Sequence, residues 1–291
     1  MDTLLHTILI PVDFSAGGEP AIEYGAYLAS KFKADIVLLH VIEGTHNYPQ
    51  GWFSSESPDT FKFLVRKKAS GVLNEYAGSI TKKYKVKVKS ALATGKPAAK
   101  IAETVAGENI DLIVMGTHGT NGFEELFMGS TSHKVVNLSP CPVITVREGF
   151  NVSEIRSIVL PIDDSLYSRE KINHVLPIAS KCHSVVHILG ITKDGDKLNM
   201  NKFNSKITTV EKAVKNAGVK FERKVVTANN VAIEAMNYAA EVNADLLAIM
   251  TDHESDMPGA FMGAFAHQIV NHSIVPVLSI KPHKTFYDYP V

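Results

Sequence analysis

The sequence is poor in cysteine, balanced in charge and free of long apolar runs. Only two of its 291 residues are cysteines, Cys141 and Cys182, so the chain has neither a disulfide framework nor the ligand spacing of a zinc site. Thirty Lys and Arg residues balance thirty Asp and Glu residues, and no basic block stands out. We therefore expect no nucleic acid among its partners.

The sequence also lacks the signals of membrane insertion and secretion. No apolar run approaches the roughly 18 residues of a spanning helix, and no basic segment precedes the first apolar run. We therefore expect a cytoplasmic protein with no membrane partner. The chain does have the length of two domains, and its hydrophobic fraction of 45% is enough for a core in each.

An internal repeat indicates how the chain is divided. The segment His6–Ser15 recurs 150 positions later as Arg156–Ser165, and Asp111–Met115 recurs 134 positions later as Asp245–Ile249. A repeat of this length is typical of a duplicated domain. The predicted domains are residues 1–149 and 153–283.

Strands and helices alternate in each half. The apolar run Thr7–Val12 predicts a first strand covered on both faces, and Pro20 marks the start of a helix that leads to a strand at Asp35–Val41. Alternating Lys and Val at Lys85–Lys89 predict an edge strand, and residues 43–59 read as a long loop. This order predicts an α/β, Rossmann-like fold of two tandem, doubly wound, parallel five-stranded sheets with helices on both faces.

A glycine-punctuated segment follows the fourth predicted strand and ends at a predicted helix. It has the pattern Gly-x2-Gly-x9-Gly followed by three hydroxyl residues, which are Gly116, Gly119, Gly129, Ser130, Thr131 and Ser132. Glycine lets the backbone approach a ligand, and unpaired N–H groups at a helix start favour an anion. The alternative is that the glycines only shape a turn. Ligands of doubly wound sheets bind at the carboxyl ends of the strands, so we predict a phosphate site at this edge.

Both halves resemble the universal stress protein family, and the whole chain is similar to a tandem member. The glycine pattern, the opening strand that ends in Pro11-Val12-Asp13 and the closing strand Cys141–Val146 carry the resemblance. It implies ATP as the ligand, with Mg²⁺ as a possible companion: Asp13 would hold the ribose, the backbone near Val41 would meet the adenine, and the glycine segment would hold the phosphates. The implied site residues are Pro11, Val12, Asp13, Ser15, Val41, Met115, Gly116, His118, Gly119, Gly129, Ser130, Thr131 and Ser132.

Three of these residues have a structural alternative. Asp13 either binds the nucleotide or caps the following turn. Ser15 either reaches a phosphate or a metal, or caps a helix N-terminus. His118 either contacts a phosphate or is a solvated loop residue. It has no partnered carboxylate in the sequence, so we predict no catalytic residue.

The second half has lost most of the glycine pattern. Gly116 and Gly119 correspond to Met250 and His253. The hydroxyl run corresponds to Ala264, Phe265 and Ala266, and the acidic residues that follow the strand, Asp252, Glu254 and Asp256, would repel phosphate. We therefore predict nucleotide binding in the first half only. We interpret the retained residues as parts of the fold, namely Asp163, Ser165 and Gly263.

The resemblance implies an ATP-binding protein with a regulatory or stress-response role and at most weak ATPase activity. Two alternatives stay open: a slow ATP hydrolase, and an interaction scaffold that needs no nucleotide. The resemblance also implies that domains pair through their last strands. Val143–Val146 and Val277–Ile280 are therefore predicted to pair within one chain, and a homodimer is compatible with the same sequence.

Overall fold

A computed structural model describes residues 5–43, 58–117, 128–151, 154–165, 167–192, 200–251 and 262–282. Several residues of the sequence analysis lie outside these ranges. They are most of the predicted loop at 43–59, the site residues His118 and Gly119, and Asp252, His253, Glu254 and Asp256 of the second half.

The described part of the first half contains five strands and four helices in alternating order, with a 3-10 turn at Ala16–Gly18. These elements are β1 Thr7–Pro11, α1 Glu19–Phe32, β2 Asp35–Ile42, α2 Pro58–Tyr84, β3 Val88–Thr94, α3 Pro97–Gly107, β4 Leu112–Gly116, α4 Ser130–Leu138 and β5 Val143–Val146.

The second half repeats this order. Its elements are β6 Ser157–Ile162, α5 Ile172–Cys182, β7 Val185–Thr192, α6 Met200–Asn216, β8 Lys220–Thr227, α7 Val231–Glu241, β9 Leu246–Met250, α8 Ala264–His272 and β10 Val277–Ile280.

The strands form one ten-stranded sheet in the order β3-β2-β1-β4-β5-β10-β9-β6-β7-β8. Neighbouring strands are parallel within each half, and the two halves meet where β10 lies antiparallel to β5, with Leu278 opposite Ile144. The predicted α/β fold of two parallel five-stranded units is confirmed. The two units are halves of a continuous sheet.

Helices cover both faces of the sheet. Successive residues of a strand point to opposite faces, so each strand contributes side chains to a core on each side. In β4, Leu112 and Val114 face a core under α1, α2, α5 and α6, whereas Ile113 and Met115 face a core under α3, α4, α7 and α8. Each of these two cores contains buried residues from both halves of the chain. The halves therefore share their cores across the β5–β10 junction.

Helix residues of the first half also contact the second half on each face of the sheet. On one face the Tyr24 hydroxyl of α1 donates to the backbone oxygen of Asp245 at 3.0 Å. On the other face the rings of His133 in α4 and His267 in α8 lie edge to face, with centroids 5.4 Å apart. Contacts on both faces hold the two halves together beyond the strand pair itself.

Two aspartates at the amino ends of the strands repeat the same contact. Asp111 Oδ2 accepts from the backbone N–H groups of His6 and Thr7, at 2.7 and 2.9 Å. Asp245 Oδ2 accepts from those of Arg156 and Ser157, at 2.7 and 3.0 Å. The repeat seen in the sequence is therefore a repeat of contacts that position the first strand of each half.

The predicted strand at Lys85–Lys89 is wrong in position. Lys85 follows α2 with φ of 59°, a left-handed conformation that does not continue into a strand, and Val86 is buried in the core on the α2 face of the sheet. Pairing with β2 starts at Val88, which lies opposite Ile36. The edge position was predicted correctly, since β3 stands at one end of the sheet.

Within the described ranges no helix is both long and apolar enough to cross a membrane.

Candidate functional site

The strand order creates a crevice at the carboxyl ends of β1 and β4. β1 lies between β2 and β4, and the connection after β1 crosses one face of the sheet whereas the connection after β4 crosses the other. Crevices of this kind are where doubly wound folds bind ligands. The predicted site residues that the structure places at this edge are Pro11, Val12, Asp13, Ser15, Val41, Met115, Gly116, Gly129, Ser130, Thr131 and Ser132.

Asp13 follows β1 and is bonded to its own turn. Its Oδ1 accepts from the backbone N–H of Ser15 at 3.0 Å and from the Ser15 hydroxyl at 2.7 Å. In the second half Asp163 Oδ1 accepts from the N–H and hydroxyl of Ser165, at 3.1 and 2.6 Å. Because this contact is present in the half that has lost the glycine pattern, it belongs to the fold. The interpretation of Asp13 as a turn cap therefore holds for one of its carboxylate oxygens, Oδ1.

An aromatic pair that the sequence analysis missed fixes the chain on either side of Asp13. Phe14 has φ of 63°, and its ring stacks on His40 with centroids 4.1 Å apart. His40 Nδ1 donates to the backbone oxygen of Val12 at 2.8 Å. Burial lowers the pKa of His40 below its usual 6.5, so the ring is neutral at pH 7. The pair turns the Phe14 side chain toward the α2 face and holds the end of β1.

The glycine segment is closed at its base by backbone hydrogen bonds. Gly129 N–H donates to the oxygen of Thr117 at 2.7 Å, and Thr117 N–H donates to the oxygen of Val146 at 3.0 Å. The second half makes the same two bonds, from Gly263 to Thr251 and from Thr251 to Ile280, both at 2.8 Å. Both halves therefore close this segment in the same way, with or without the full glycine pattern.

The three hydroxyl residues at the start of α4 differ in exposure and in bonding. Ser130 is exposed and Thr131 half-buried, whereas Ser132 is buried. The Ser132 hydroxyl donates to the oxygen of Gly116 at 2.9 Å. A hydroxyl has one proton, so Ser132 uses its proton within the segment, and the second half has Ala266 at this position.

The start of α4 presents backbone N–H donors. The N-cap residue of α4 is Gly129, which makes no side-chain cap. The first N–H groups of a helix have no partner inside the helix, so those of Ser130 and Thr131 can meet an anion. This arrangement fits a phosphate group.

A second carboxylate lies at the same edge and was also missed. Glu148, just after β5, places its side chain against the turn that follows Asp13: a Cβ on Gly17 would lie 3.1 Å from Glu148 Oε2. Nothing in the glycine pattern points to this residue. In the described part of the chain, no group of three or more His, Cys, Asp or Glu side chains is arranged to hold a metal ion.

Comparison with known proteins agrees with this architecture. A family model described as the universal stress protein family matches the chain twice, over residues 5–147 and 154–281. The universal stress protein YxiE of Bacillus subtilis is 28% identical over 154 residues, which span 50% of this chain and 100% of that protein. A universal stress protein of Methanocaldococcus jannaschii is 27% identical over 158 residues, 50% of this chain and 98% of the relative.

One solved structure is similar over nearly the whole chain. A universal stress protein from Archaeoglobus fulgidus superposes with a TM-score of 0.73 at 22% identity, and the match covers 94% of this chain and 98% of that one. At this identity the likeness supports the fold. With two family matches that together span most of its length, the chain belongs to the universal stress protein family and carries the domain twice in tandem.

Proposed function

We propose that this protein binds ATP in the crevice of its first half and serves a regulatory or stress-response role. The observation that carries the proposal is the difference between the two glycine segments. Their closing hydrogen bonds are the same, yet only the first combines Gly116 and Gly119 with hydroxyl residues at the helix start. A pattern that is dispensable for closing the segment is better explained by a ligand.

The described part of the first half has groups suited to each portion of the nucleotide. The N–H groups at the start of α4, with the positive end of the helix dipole, suit the phosphates. Asp13 supplies carboxylate oxygens, which accept hydrogen bonds from ribose hydroxyls. The backbone of β2 near Val41 lies on the neighbouring strand and would meet the adenine.

The second half, in this proposal, is an internal partner. The edge of β5 is covered by β10 through antiparallel pairing. An uncovered β5 would expose a row of backbone N–H and C=O groups, which promotes association with another chain. We therefore expect the chain to satisfy its own β5 edge in solution, so that a dimer of chains would need a different surface.

Two matched glycine variants test the location and number of sites. Gly129 and Gly263 are the N-cap residues of α4 and α8 and have nearly the same backbone angles, φ −59° with ψ 149° and φ −59° with ψ 153°. Valine adopts these angles, so neither substitution requires a strained backbone. We expect Gly129→Val to weaken ATP binding by about tenfold or more, roughly 1.4 kcal/mol, because its side chain blocks phosphate from the helix start. Gly263→Val should bind as the parent does.

Titration calorimetry with ATP measures both quantities. The parent should bind about one ATP per chain, with circular dichroism showing that both variants are folded. A stoichiometry near two, or equal affinity in the parent and Gly129→Val, would contradict the proposed site.

A further inference from the structure

The second half holds the end of the first half's glycine segment. The backbone N–H of Met128, the residue before Gly129, donates to Asn271 Oδ1 of α8 at 3.2 Å. Both residues are buried, Met128 at 9% and Asn271 at 8% exposure. A hydrogen bond between buried groups has no water to replace it, so losing one partner is costly. The chain entering α4 is therefore positioned by a side chain from the other half.

The orientation of the Asn271 amide follows from its two contacts. Its oxygen must face Met128, because a backbone N–H only donates, and the amide nitrogen then faces the His267 ring at 3.1 and 3.2 Å. Flipping the amide would place two donors against each other at Met128. His267 in turn lies against His133 of α4. Asn271 is thus held from two sides in the orientation that bonds Met128.

The corresponding asparagine of the first half does not act in the same way. Asn137 is the repeat counterpart of Asn271, and Met262 is the counterpart of Met128. The Asn137 amide nitrogen contacts His133 Nδ1 at 3.2 Å, but over the described ranges no hydrogen bond joins its amide to Met262. Among the described residues, this asparagine contact is therefore made toward the glycine segment with the complete pattern and not toward its counterpart.

We propose that Asn271 is a positioning residue for the nucleotide site, through which the second half sets the affinity of the first half for ATP. This inference rests on the proposed ATP binding. Asn271 does not touch the nucleotide in this proposal. It fixes Met128, and with it Gly129 and the N–H groups at the start of α4 that receive phosphate.

Three variants test this inference. Asn271→Leu keeps the approximate volume and removes the acceptor, and we expect ATP to bind about tenfold more weakly. Asn271→Asp restores an oxygen for the Met128 N–H and should recover most of the affinity. Asn137→Leu, the matched control, should stay within about twofold of the parent. If the leucine protein does not fold, Asn271→Ala removes the same acceptor without added bulk.

Two measurements separate this inference from the proposed function. Calorimetry gives the ATP affinities, and hydrogen exchange of the Met128 N–H, measured without nucleotide, reports the contact itself. We expect faster exchange in Asn271→Leu and parent-like exchange in Asn137→Leu. Parent-like affinity in Asn271→Leu, or an equal loss in Asn137→Leu, would overturn the positioning role. If the parent binds no ATP, the proposed function is overturned, and with it the effect of Asn271 on affinity. If the Met128 N–H exchanges at the same rate in Asn271→Leu as in the parent, the positioning role is overturned whatever the ATP affinities are.

Discussion

Gly25 lies where α1 packs closely against the sheet. A Cβ at this position would lie 2.6 Å from Ile10 Cδ1 and 3.4 Å from Val114 Cβ, closer to Ile10 than side chains pack. Ile10 and Val114 are fully buried, so the isoleucine has little room to move away. The absence of a side chain at residue 25 lets the helix pack on β1 and β4 beside the candidate site.

We expect Gly25→Ala to destabilise the protein by about 1–3 kcal/mol, because the added methyl group overpacks the core. Gly71→Ala is the matched control. Gly71 also lies inside a helix, α2, but a Cβ there would meet no atom within 4 Å. That variant should gain about 0.5–1 kcal/mol from the better helix propensity of alanine. Urea unfolding of both proteins measures the difference, and equal stability of Gly25→Ala and the parent would refute the overpacking.

Some residues of the candidate site could be predicted from the sequence, and others could not. The edge position of Asp13 and Gly116 followed from local patterns, a strand ending in a carboxylate and a strand followed by glycine. The stacking of Phe14 on His40 did not, because phenylalanine with positive φ is rare and no local signal marks it. The bond from Asn271 to Met128 joins residues 143 positions apart, and only the folded chain brings them together.

At the scale of elements, β5 and β10 form the central strand pair, and each contains a buried hydroxyl group. Thr145 lies opposite Val277, and Ser279 lies opposite Val143. Their side chains are buried, at 2% and 3% exposure, and their hydroxyl oxygens have no hydrogen-bond partner in the described part of the chain. A buried hydroxyl without a partner costs free energy that an apolar side chain does not. This strand pair is therefore less stable than its packing would allow.

Removing these hydroxyls should stabilise the protein. We expect Thr145→Val, which keeps the shape of the side chain, and Ser279→Ala each to raise the free energy of unfolding by about 1 kcal/mol. Ser273→Ala is the comparison, because the Ser273 hydroxyl donates to the oxygen of Val275 at 2.8 Å and accepts from its N–H at 3.2 Å. That variant should lose stability. If Thr145→Val and Ser279→Ala lower the urea midpoint as Ser273→Ala does, the two hydroxyls at the junction have partners.

The elements themselves were largely predictable, and their exceptions have a local cause. Buried parallel strands read as continuous apolar runs, so β1 and β2 were predicted close to their observed bounds. The start of β3 was missed because the left-handed Lys85 and the burial of Val86 put the first residues after α2 into a connection. The alternation of Lys and Val there resembles a strand, but partner pairing decides where the strand begins.

At the scale of the whole molecule, three half-buried or buried histidines make stability depend on pH. Burial is the largest cause that lowers the pKa of His40, His133 and His187 below 6.5. For His133 the neighbouring His267 lowers the pKa further. An unfolded chain then binds more protons than the native protein as the pH falls. The stability that these neutral rings provide is complete above pH 6.5 and is lost as the pH drops through their lower native pKa values.

We expect the urea midpoint of the parent to fall between pH 7.5 and pH 5.5. A variant with His40→Gln, His133→Gln and His187→Gln should start from a lower midpoint, because it loses contacts, but should fall less over the same range. The quantity to compare is the slope of the urea midpoint against pH, since the two proteins differ in stability at pH 7.5. Identical slopes in the parent and the triple variant would show that these histidines do not govern the acid response.

The family and the tandem fold also belong to this scale. The repeat indicated the tandem fold, whereas the glycine pattern and the first and last strands of the first half carried the resemblance to the family. Patterns at equivalent positions identified the two copies, and the family matches over residues 5–147 and 154–281 agree with them. The boundaries at residues 149 and 153 stay a prediction. The pairing of β5 with β10 was expected only from the resemblance, because it depends on strand edges and no pattern within either strand indicates it.

The antiparallel strand pair at the centre of the sheet has a consequence for how the protein assembles. Only a short connection, from Val146 to Ser157, separates the last strand of one half from the first strand of the other. Two halves on a short tether meet at an effective concentration on the order of millimolar. Their association is therefore a first-order event, independent of how much protein a cell makes. Two separate subunits would come apart on dilution, whereas this chain keeps its partner at any expression level.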